Sequence, residues 1–173
     1  AYWDAEIKRA QERGLPGYPV YTRKVNTDVC YLACARRLLE GTPLLYPQFA
    51  THNAHTLAWV RQLALLQRRA CEFQRLHGMG AELYGELAGE DGEPLPCRVY
   101  APVGSHEDLL PYLVRRLLEN GANTSFVNRI VDERVPAAEL VRDPAATVEE
   151  LDSIAHADIP LPAALFGAER INS

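Results

Sequence analysis

Hydrophobic and polar positions follow two different periods along the chain, and turn residues separate the two kinds of segment. Apolar residues spaced three and four apart predict five α-helices. These are DAEIKRAQER (4–13), NTDVCYLACARRLLEG (26–41), AHTLAWVRQLALLQRR (54–69), MGAELYGELAG (79–89) and SHEDLLPYLVRRLLENG (105–121). Short apolar runs between the helices predict three β-strands. These are LLYPQFATHN (44–53), ACEFQRLHG (70–78) and PCRVYAPVG (96–104).

Several helix ends carry start or stop residues. Gly14 stops the first helix, and Asn26 and Thr27 are possible N-caps of the second. Ser105, with Asp108 three residues later, resembles a capping box in which Asp replaces Glu. These signals support the predicted helix boundaries.

Strands and helices alternate at a regular pitch. The strand ends recur every 24 to 26 residues, since Thr51 and His77 are 26 residues apart and Leu76 and Tyr100 are 24 apart. This alternation favours parallel βα units, in either a (βα)8 barrel or a doubly wound sheet. Three strands cannot close a barrel, so on the barrel interpretation we expect an N-terminal part to be missing.

The composition changes after Asn128 and becomes acidic and rich in proline and alanine. For this part we predict one amphipathic helix near 145–156, followed by an extended linker. The predicted division is therefore an α/β part, residues 1–130, and an acidic Pro/Ala-rich helix and linker segment, residues 131–173.

Charge and motif content argue against several classes of protein. The 173 residues contain 18 Lys and Arg against 23 Asp and Glu, a net charge of −5, which argues against a nucleic-acid partner for this segment. No apolar run approaches the roughly 20 residues of a membrane-spanning helix, and the first residues do not resemble a signal peptide. The chain lacks GxGxxG, P-loop and GxSxG motifs.

The four cysteines, which lie within predicted helices and strands, favour free thiols in a reducing cytoplasm. They are Cys30, Cys34, Cys71 and Cys97. Cys30 and Cys34 share a helix face, so a metal site with His52 or His77 can be drawn. No CxxC spacing supports it, and we predict no metal.

Polar and aromatic residues gather where the predicted strands end. They are Thr51, His52, Asn53, Gln74, His77 and Tyr100, and the apolar Leu76 lies among them. Because ligands of parallel βα folds bind at the carboxyl ends of strands, these positions predict a ligand site. Taken singly, each histidine has an ordinary structural explanation, such as capping by His52 and His55 or a turn at His77.

The last predicted helix carries Arg115 and Arg116 beside an apolar stripe, with Glu119 one turn later. The stripe is Leu110, Leu113, Val114 and Leu117. Guanidinium groups bind carboxylates in a two-pronged manner, so two arginines steadied by a glutamate predict a carboxylate or phosphate clamp. Arg–Glu pairs at this spacing also occur as surface pairs worth about 0.3–0.5 kcal/mol. The polar strand ends favour the clamp.

Longer stretches carry a family resemblance. They are AYWDAEIKRAQ, GYPVYTRKV, YPQFATHNAHT, EFQRLHGMG, CRVYAPVG and YLVRRLLENGANTSFVNR, and they span nearly all of residues 1–130. In order and spacing they resemble the flavin-dependent proline dehydrogenase family, and more closely the proline dehydrogenase domain of the bifunctional proline utilisation A proteins. The tail IPLPAALFGAERINS is similar to the segment leading toward the aldehyde dehydrogenase half of those proteins.

The resemblance implies an α/β fold that is the C-terminal part of a distorted (βα)8 barrel. Residues 1–130 would supply the end of strand 5 through helix 8, with the last helix over the barrel mouth, and an extended tail would follow. FAD would bind at the carboxyl ends of the strands.

The resemblance also assigns roles to residues. Arg115 and Arg116 would hold the carboxylate of L-proline, Glu119 would steady them beside the flavin, and Tyr100 and Leu76 would pack around the proline ring. The first three form the expected catalytic group. The positions matching FAD-binding residues are Ala1, Trp3, Arg23, Lys24, Thr51, His52, Asn53, Gln74 and Glu119.

The implied reaction is oxidation of L-proline to Δ1-pyrroline-5-carboxylate by hydride transfer to flavin N5, in the catabolism of proline to glutamate. Family members pass the electrons to a membrane quinone, which implies a cytoplasmic enzyme with peripheral contact at the inner face of the membrane. A pyrroline-5-carboxylate dehydrogenase domain in the same polypeptide and a homo-oligomer are further implied.

The chain departs from the family pattern in one respect. Three residues of the family pattern precede the segment that matches AYWD: the substrate-binding lysine, an aspartate and the strand-5 arginine. We therefore do not expect the 173 residues to turn over alone. One alternative is a non-catalytic barrel fragment that completes a site or interacts with another chain. Another is a different carboxylate-binding α/β enzyme without flavin.

Overall fold

A computed structural model describes residues 3–86, 96–121 and 136–167. Its helices are α1 (Trp3–Arg13), α2 (Lys24–Glu40), α3 (Ala54–Gln67), α4 (Ala81–Glu86), α5 (His106–Gly121), α6 (Ala137–Leu140) and α7 (Pro144–Glu149). Its strands are β1 (Gln48–Ala50), β2 (Glu72–Leu76) and β3 (Cys97–Tyr100), and a 3-10 turn covers Pro162–Ala164. The chain forms two units, residues 1–30 with 143–173 and residues 31–142, so the division falls within α2.

The second unit is built on a parallel sheet in the order β1-β2-β3. Phe49 pairs with Phe73, and Leu76 pairs with Tyr100. This confirms the α/β class and the parallel βα units predicted from the strand spacing. The strands are shorter than the apolar runs suggested, because each run includes the loop residues that flank its strand.

One face of the sheet packs against helices to form the core of the second unit. Phe49 and Phe73 project from this face, with ring centroids 6.2 Å apart, and Tyr84 of α4 lies edge-on to Phe73 at 6.3 Å. The helices contribute Ala35, Leu39, Leu57, Val60 and Ala64. Since side chains alternate between the faces of a strand, Gln48, Glu72, Gln74 and Arg98 lie on the opposite face.

Most predicted helix ends agree with the structure. The backbone N–H of Leu15 donates to Ala10 and Gly14 has φ 56°, the geometry of a left-handed C-cap that stops α1. The hydroxyl of Ser105 accepts from the N–H of Asp108 at 3.3 Å and donates to its carboxylate at 2.7 Å, so the predicted cap of α5 is present.

Four predicted helix boundaries within the described residues were wrong by two residues or more. The helix predicted over 54–69 ends at Gln67, and the helix predicted over 79–89 begins at Ala81, while its predicted end lies outside the described residues. Helix α2 begins at Lys24, and Asn26 is buried inside it rather than capping it. Its side-chain amide donates to the carbonyl of Ile154 at 2.8 Å. The tail helix predicted near 145–156 ends at Glu149. Residues 151–156 are not helical, and the carbonyls of Ile154 and Ala155 accept from the side chains of Asn26 and Arg23.

The apolar stripe of α5 is exposed over the described part of this helix. Leu110, Leu113 and Val114 are 51%, 50% and 45% exposed, while the side chain of Leu117 lies outside the described residues. Within the described ranges, we find no helix with the length and apolar character needed to cross a membrane.

Candidate functional site

Five of the predicted site residues converge on the carboxyl edge of the sheet. Parallel pairing sets Leu76 beside Tyr100, and Gln74 lies two residues before Leu76 on β2. The backbone N–H of His77 donates to the carbonyl of Tyr100 at 2.9 Å. Thr51 and His52 follow β1 at the same edge. The structure therefore brings Thr51, His52, Gln74, Leu76 and Tyr100 to one place in the fold.

His52 bridges the ends of the first two strands. Its Nε2 accepts a hydrogen bond from the backbone N–H of Leu76 at 3.4 Å, which assigns the ring proton to Nδ1 when the imidazole is neutral. A Cβ atom on Gly80 would lie 2.8 Å from Cδ2 of His52, so the glycine makes room for the ring. Gly80 also has φ +68°, which favours glycine independently.

Thr51 and Asn53 organise the start of α3. Asn53 is the N-cap, and its side-chain oxygen accepts from the N–H of Thr56 at 3.2 Å. The hydroxyl of Thr51 accepts from the N–H of Asn53 at 3.1 Å. The cap is therefore Asn53 rather than a pair of His52 and His55. One side-chain oxygen of each predicted ligand already accepts a hydrogen bond from the backbone.

Tyr84 was not predicted as a site residue, yet it ties two strand ends together. Its hydroxyl lies 2.8 Å from the carbonyl oxygen of Thr51 and 3.1 Å from that of Gln74, so its single proton is shared between the two. The side chain is buried, and burial raises the pKa of its phenol. Tyr84 is therefore a neutral donor. The sequence shows it only as an apolar-face position of a helix.

A polar network covers the face of the sheet opposite the core, and Glu72 is at its centre. Arg98 donates to both carboxylate oxygens, with Nε 2.8 Å from Oε1 and Nη2 2.9 Å from Oε2. The amides of Gln48 and Gln74 donate to Oε1 at 3.0 and 3.4 Å. The hydrogen bond from Arg98 is the largest cause of a lowered pKa at Glu72. This network was not predicted from the sequence, although Glu72 is a charged residue inside an apolar run.

Arg116 is supported by an aromatic ring on its own helix. Its guanidinium carbon lies 5.5 Å from the ring centroid of Tyr112, one turn earlier, at cation–π distance. Arg116 is half-buried, whereas Arg115 is exposed. Tyr112, like Tyr84, was not among the predicted site residues. The clamp geometry stays a prediction, because the side chain of Glu119 lies outside the described residues.

The remaining predicted cofactor ligands belong to the first unit. Arg23 donates through Nε to the carbonyl of Ala155 at 3.2 Å, and Lys24 forms an ion pair with Asp28 at 2.6 Å. Ala1 and the side chain of Trp3 lie outside the described residues. The FAD-binding roles of all four residues stay predictions.

None of the four cysteines is in a disulfide. Partial burial raises the pKa of the thiols of Cys71 and Cys97, so the neutral form is favoured at both. Within the part of the chain that the structure describes, no three His, Cys, Asp or Glu side chains converge as a metal-binding group.

Comparison with known proteins identifies relatives along the whole chain. Bifunctional protein PutA of Escherichia coli K12 and that of Klebsiella aerogenes are each 61% identical over 184 aligned positions. Bifunctional protein PutA of Rhizobium meliloti is 53% identical over 182. Each alignment covers 100% of this chain and 14% of the relative, so the chain spans about one seventh of the length of these curated relatives.

Solved structures agree with these sequence relatives. A structure of proline utilization A with proline bound in remote sites is 58% identical, with a TM-score of 0.88. The D779W mutant of the Bradyrhizobium japonicum protein is 57% identical, with a TM-score of 0.89. Each match covers 98% of this chain and 17% of the other. The family model described as Proline dehydrogenase matches residues 1–129. The chain therefore belongs to the proline dehydrogenase family.

Proposed function

We propose that this chain forms part of an FAD-dependent proline dehydrogenase that oxidises L-proline to Δ1-pyrroline-5-carboxylate in proline catabolism. The observation that carries the proposal is the carboxyl edge of the sheet. There, the residues matching the family's ligand positions on β1, β2 and β3 lie together within the segment that the family model matches. Relatives named as bifunctional PutA proteins support the same assignment.

The residues at this edge fit a flavin. The ring system of a flavin has hydrogen-bond donors and acceptors along one edge, and the amide of Gln74 can both donate and accept. Gly78, in the loop after β2, has positive φ and nothing within 4 Å of an added Cβ, so the immediate surroundings of this glycine are open. The residues that would hold FAD are those that match the family's FAD-binding positions, namely Ala1, Trp3, Arg23, Lys24, Thr51, His52, Asn53, Gln74 and Glu119.

The substrate would be held by α5 and the sheet edge. Arg115 and Arg116 would bind the carboxylate of proline, with Tyr112 keeping the Arg116 guanidinium in orientation by the contact described above. Tyr100 and Leu76, paired across β3 and β2, would pack against the apolar ring. An amino acid with an apolar ring and a carboxylate matches these two surfaces.

The protein's contribution to the reaction is binding and orientation. Bound FAD would accept a hydride from the ring carbon beside the nitrogen, which accounts for two electrons and one proton, and the second proton would leave from the ring nitrogen. The arginines would fix the carboxylate end, so that the reacting carbon keeps one position relative to the sheet edge. Tyr84, a neutral donor, holds the backbone of Thr51 and Gln74 together at this edge.

We further propose the larger context in which this chain acts. Residues 1–130 would be the C-terminal part of a distorted (βα)8 barrel with α5 over its mouth, and residues 131–173 would lead toward a pyrroline-5-carboxylate dehydrogenase domain of the same polypeptide. Electrons would pass to a membrane quinone. The protein would be cytoplasmic, peripheral to the inner face of the membrane, and a homo-oligomer.

The exposed apolar stripe of α5 favours a second candidate function. Leu110, Leu113 and Val114 together offer a surface suited to another protein element. A non-catalytic fragment that completes a site with another chain would use this surface and would bind no flavin on its own.

A visible absorption spectrum of the polypeptide that carries this chain, recorded with and without L-proline in the absence of oxygen, separates the two candidates. Flavin bands that bleach on addition of L-proline are the expected result. Flavin bands that do not bleach on addition of L-proline would overturn the proposed substrate, while the assignment of a flavin cofactor would stand. A colourless protein that stays colourless after incubation with FAD would overturn the enzyme assignment and support the second candidate.

A further inference from the structure

The carboxylate of Glu72 holds the side-chain amide of Gln74 in one orientation. Nε2 of Gln74 lies 3.4 Å from Oε1 of Glu72. Only the NH2 end of an amide can donate to a carboxylate, since the carbonyl end would face a negative charge. The chemistry therefore settles which end faces Glu72, and the carbonyl oxygen of Gln74 is directed away from it.

Glu72 is itself held from both neighbouring strands. Arg98 of β3 contacts both of its oxygens in the two-pronged manner, and Gln48 of β1 donates to Oε1 at 3.0 Å. Charge-assisted hydrogen bonds of this kind are shorter and stronger than neutral ones. Glu72 is also buried, with 9% of its surface exposed. The carboxylate of Glu72 is therefore held in one position by its other partners and can orient the side-chain amide of Gln74, whose hydrogen bond to it is longer.

The backbone of Gln74 is fixed as well as its side chain. The hydroxyl of Tyr84 shares its proton between the carbonyls of Gln74 and Thr51, and β2 pairs with a strand on each side. With the backbone held on one side and one N–H of the NH2 group directed to Glu72, the carbonyl oxygen Oε1 of Gln74 faces away from Glu72, where it can accept from a ligand.

We propose that Glu72 is a positioning residue for the site at the carboxyl edge of the sheet. By accepting a hydrogen bond from Gln74, it makes the Gln74 carbonyl oxygen the group that a ligand meets, and this oxygen binds an N–H donor. The inference rests on the proposed function, in which the ligand is FAD. An oxidised flavin ring carries one N–H donor along its edge, which suits a single acceptor of this kind.

The test is a double-mutant cycle on the dissociation constant of FAD, measured by titrating the flavin-free form of the polypeptide that carries this chain. The variants are Glu72→Gln, Gln74→Ala and the two combined. A glutamine at position 72 can offer its own NH2 group, so Gln74 loses its preferred orientation. We expect Glu72→Gln to weaken FAD binding about tenfold, equivalent to about 1.4 kcal/mol. We expect no further loss from it once Gln74 is replaced by alanine.

Gln48→Ala is the matched control, because Gln48 donates to the same oxygen of Glu72 from the other neighbouring strand. We expect it to leave the FAD dissociation constant within about twofold of its original value. If Glu72→Gln does not fold, Arg98→Lys replaces it in the cycle. The Arg98 side chain is 61% exposed, and lysine retains the charge but not the two-pronged contact.

An effect that appears only while Gln74 is present would support the positioning role. Equal weakening by Glu72→Gln with and without the Gln74→Ala substitution would show that Glu72 acts only through sheet stability, and would overturn this inference alone. Weakening by Gln48→Ala as large as that by Glu72→Gln would overturn it in the same way. Absence of FAD binding by the unsubstituted protein would overturn the proposed function, and this inference with it.

Discussion

The imidazole of His52 occupies the space that a side chain on Gly80 would need, with Cδ2 2.8 Å from the position of an added Cβ. The same imidazole accepts a hydrogen bond from the N–H of Leu76. We predict that Gly80→Ala displaces His52 and breaks this bond, lowering the free energy of unfolding by about 2–3 kcal/mol. Urea denaturation measures the change.

Gly78→Ala provides the control for this prediction. Gly78 has φ +80°, comparable to Gly80, but an added Cβ would meet nothing within 4 Å. Alanine at position 78 therefore introduces backbone strain of about 1–2 kcal/mol without displacing His52. Equal losses for the two variants would mean that contact with His52 contributes nothing.

The shared hydrogen bond of Tyr84 gives a second prediction. Tyr84→Phe keeps the ring against Phe73 but removes the donor to Thr51 and Gln74, so we expect a loss of about 1 kcal/mol in unfolding free energy. Tyr31→Phe is the comparison, since the Tyr31 hydroxyl makes one long hydrogen bond, of 3.4 Å, to the carbonyl of Ala50, the residue before Thr51. If the unfolding free energy fell less in Tyr84→Phe than in Tyr31→Phe, the hydroxyl of Tyr84 would not be what holds Thr51 and Gln74 together.

Glu72 makes stability depend on pH in a defined direction. Its pKa in the folded chain lies below the ordinary value of 4.5, chiefly because of the hydrogen bond from Arg98, so the unfolded chain takes up the proton first as the pH falls. The network therefore stabilises the fold above about pH 4.5, and its contribution is lost as the pH falls through the lower, folded pKa.

Unfolding free energies of the original protein and of Glu72→Gln, measured from pH 7 to pH 3, test this direction. We expect the original protein to be more stable at pH 7 and the difference to shrink below pH 4.5, where the unfolded chain takes up a proton at Glu72 before the folded chain does. Glu149→Gln is the control, because Glu149 is exposed and lies outside the network of Glu72. If the difference in unfolding free energy between the original protein and Glu72→Gln grew as the pH fell, the lowered pKa of Glu72 would be contradicted.

Much of the fold followed from the sequence because local signals and strand spacing agreed. The 24-residue interval between Leu76 and Tyr100 matched the register in which the two residues pair. Glycine at position 14 and serine at position 105 marked helix ends correctly, since a left-handed φ and a side-chain cap are local requirements.

The errors and omissions depend on contacts between residues distant in the sequence. Asn26 resembles a cap, but its amide binds a carbonyl 128 residues away, and no local pattern contains that partner. Tyr84 and Glu72 were overlooked because their roles arise only when neighbouring strands bring Thr51 and Arg98 beside them. The meeting of the strand ends that carry Thr51, Leu76 and Tyr100 was predictable, because parallel topology places such ends together.

The final prediction concerns Arg116 and the proposed proline clamp. Lysine at this position would retain the charge but lose the two-pronged geometry and weaken the cation–π contact with Tyr112. We expect Arg116→Lys to raise the KM for L-proline at least tenfold, or about 1.4 kcal/mol, while flavin content stays unchanged. Steady-state kinetics and the visible spectrum of the polypeptide that carries this chain provide the two readouts.

Arg36→Lys is the matched control for Arg116→Lys. Arg36 also lies on a helix, pairs with a glutamate one turn later at 3.4 Å, and has a 62% exposed side chain, so we expect its replacement to leave both readouts unchanged. An unchanged KM in Arg116→Lys would remove Arg116 from the clamp. Loss of flavin together with a raised KM would instead indicate that Arg116 supports the cofactor, because a carboxylate clamp acts on the substrate alone.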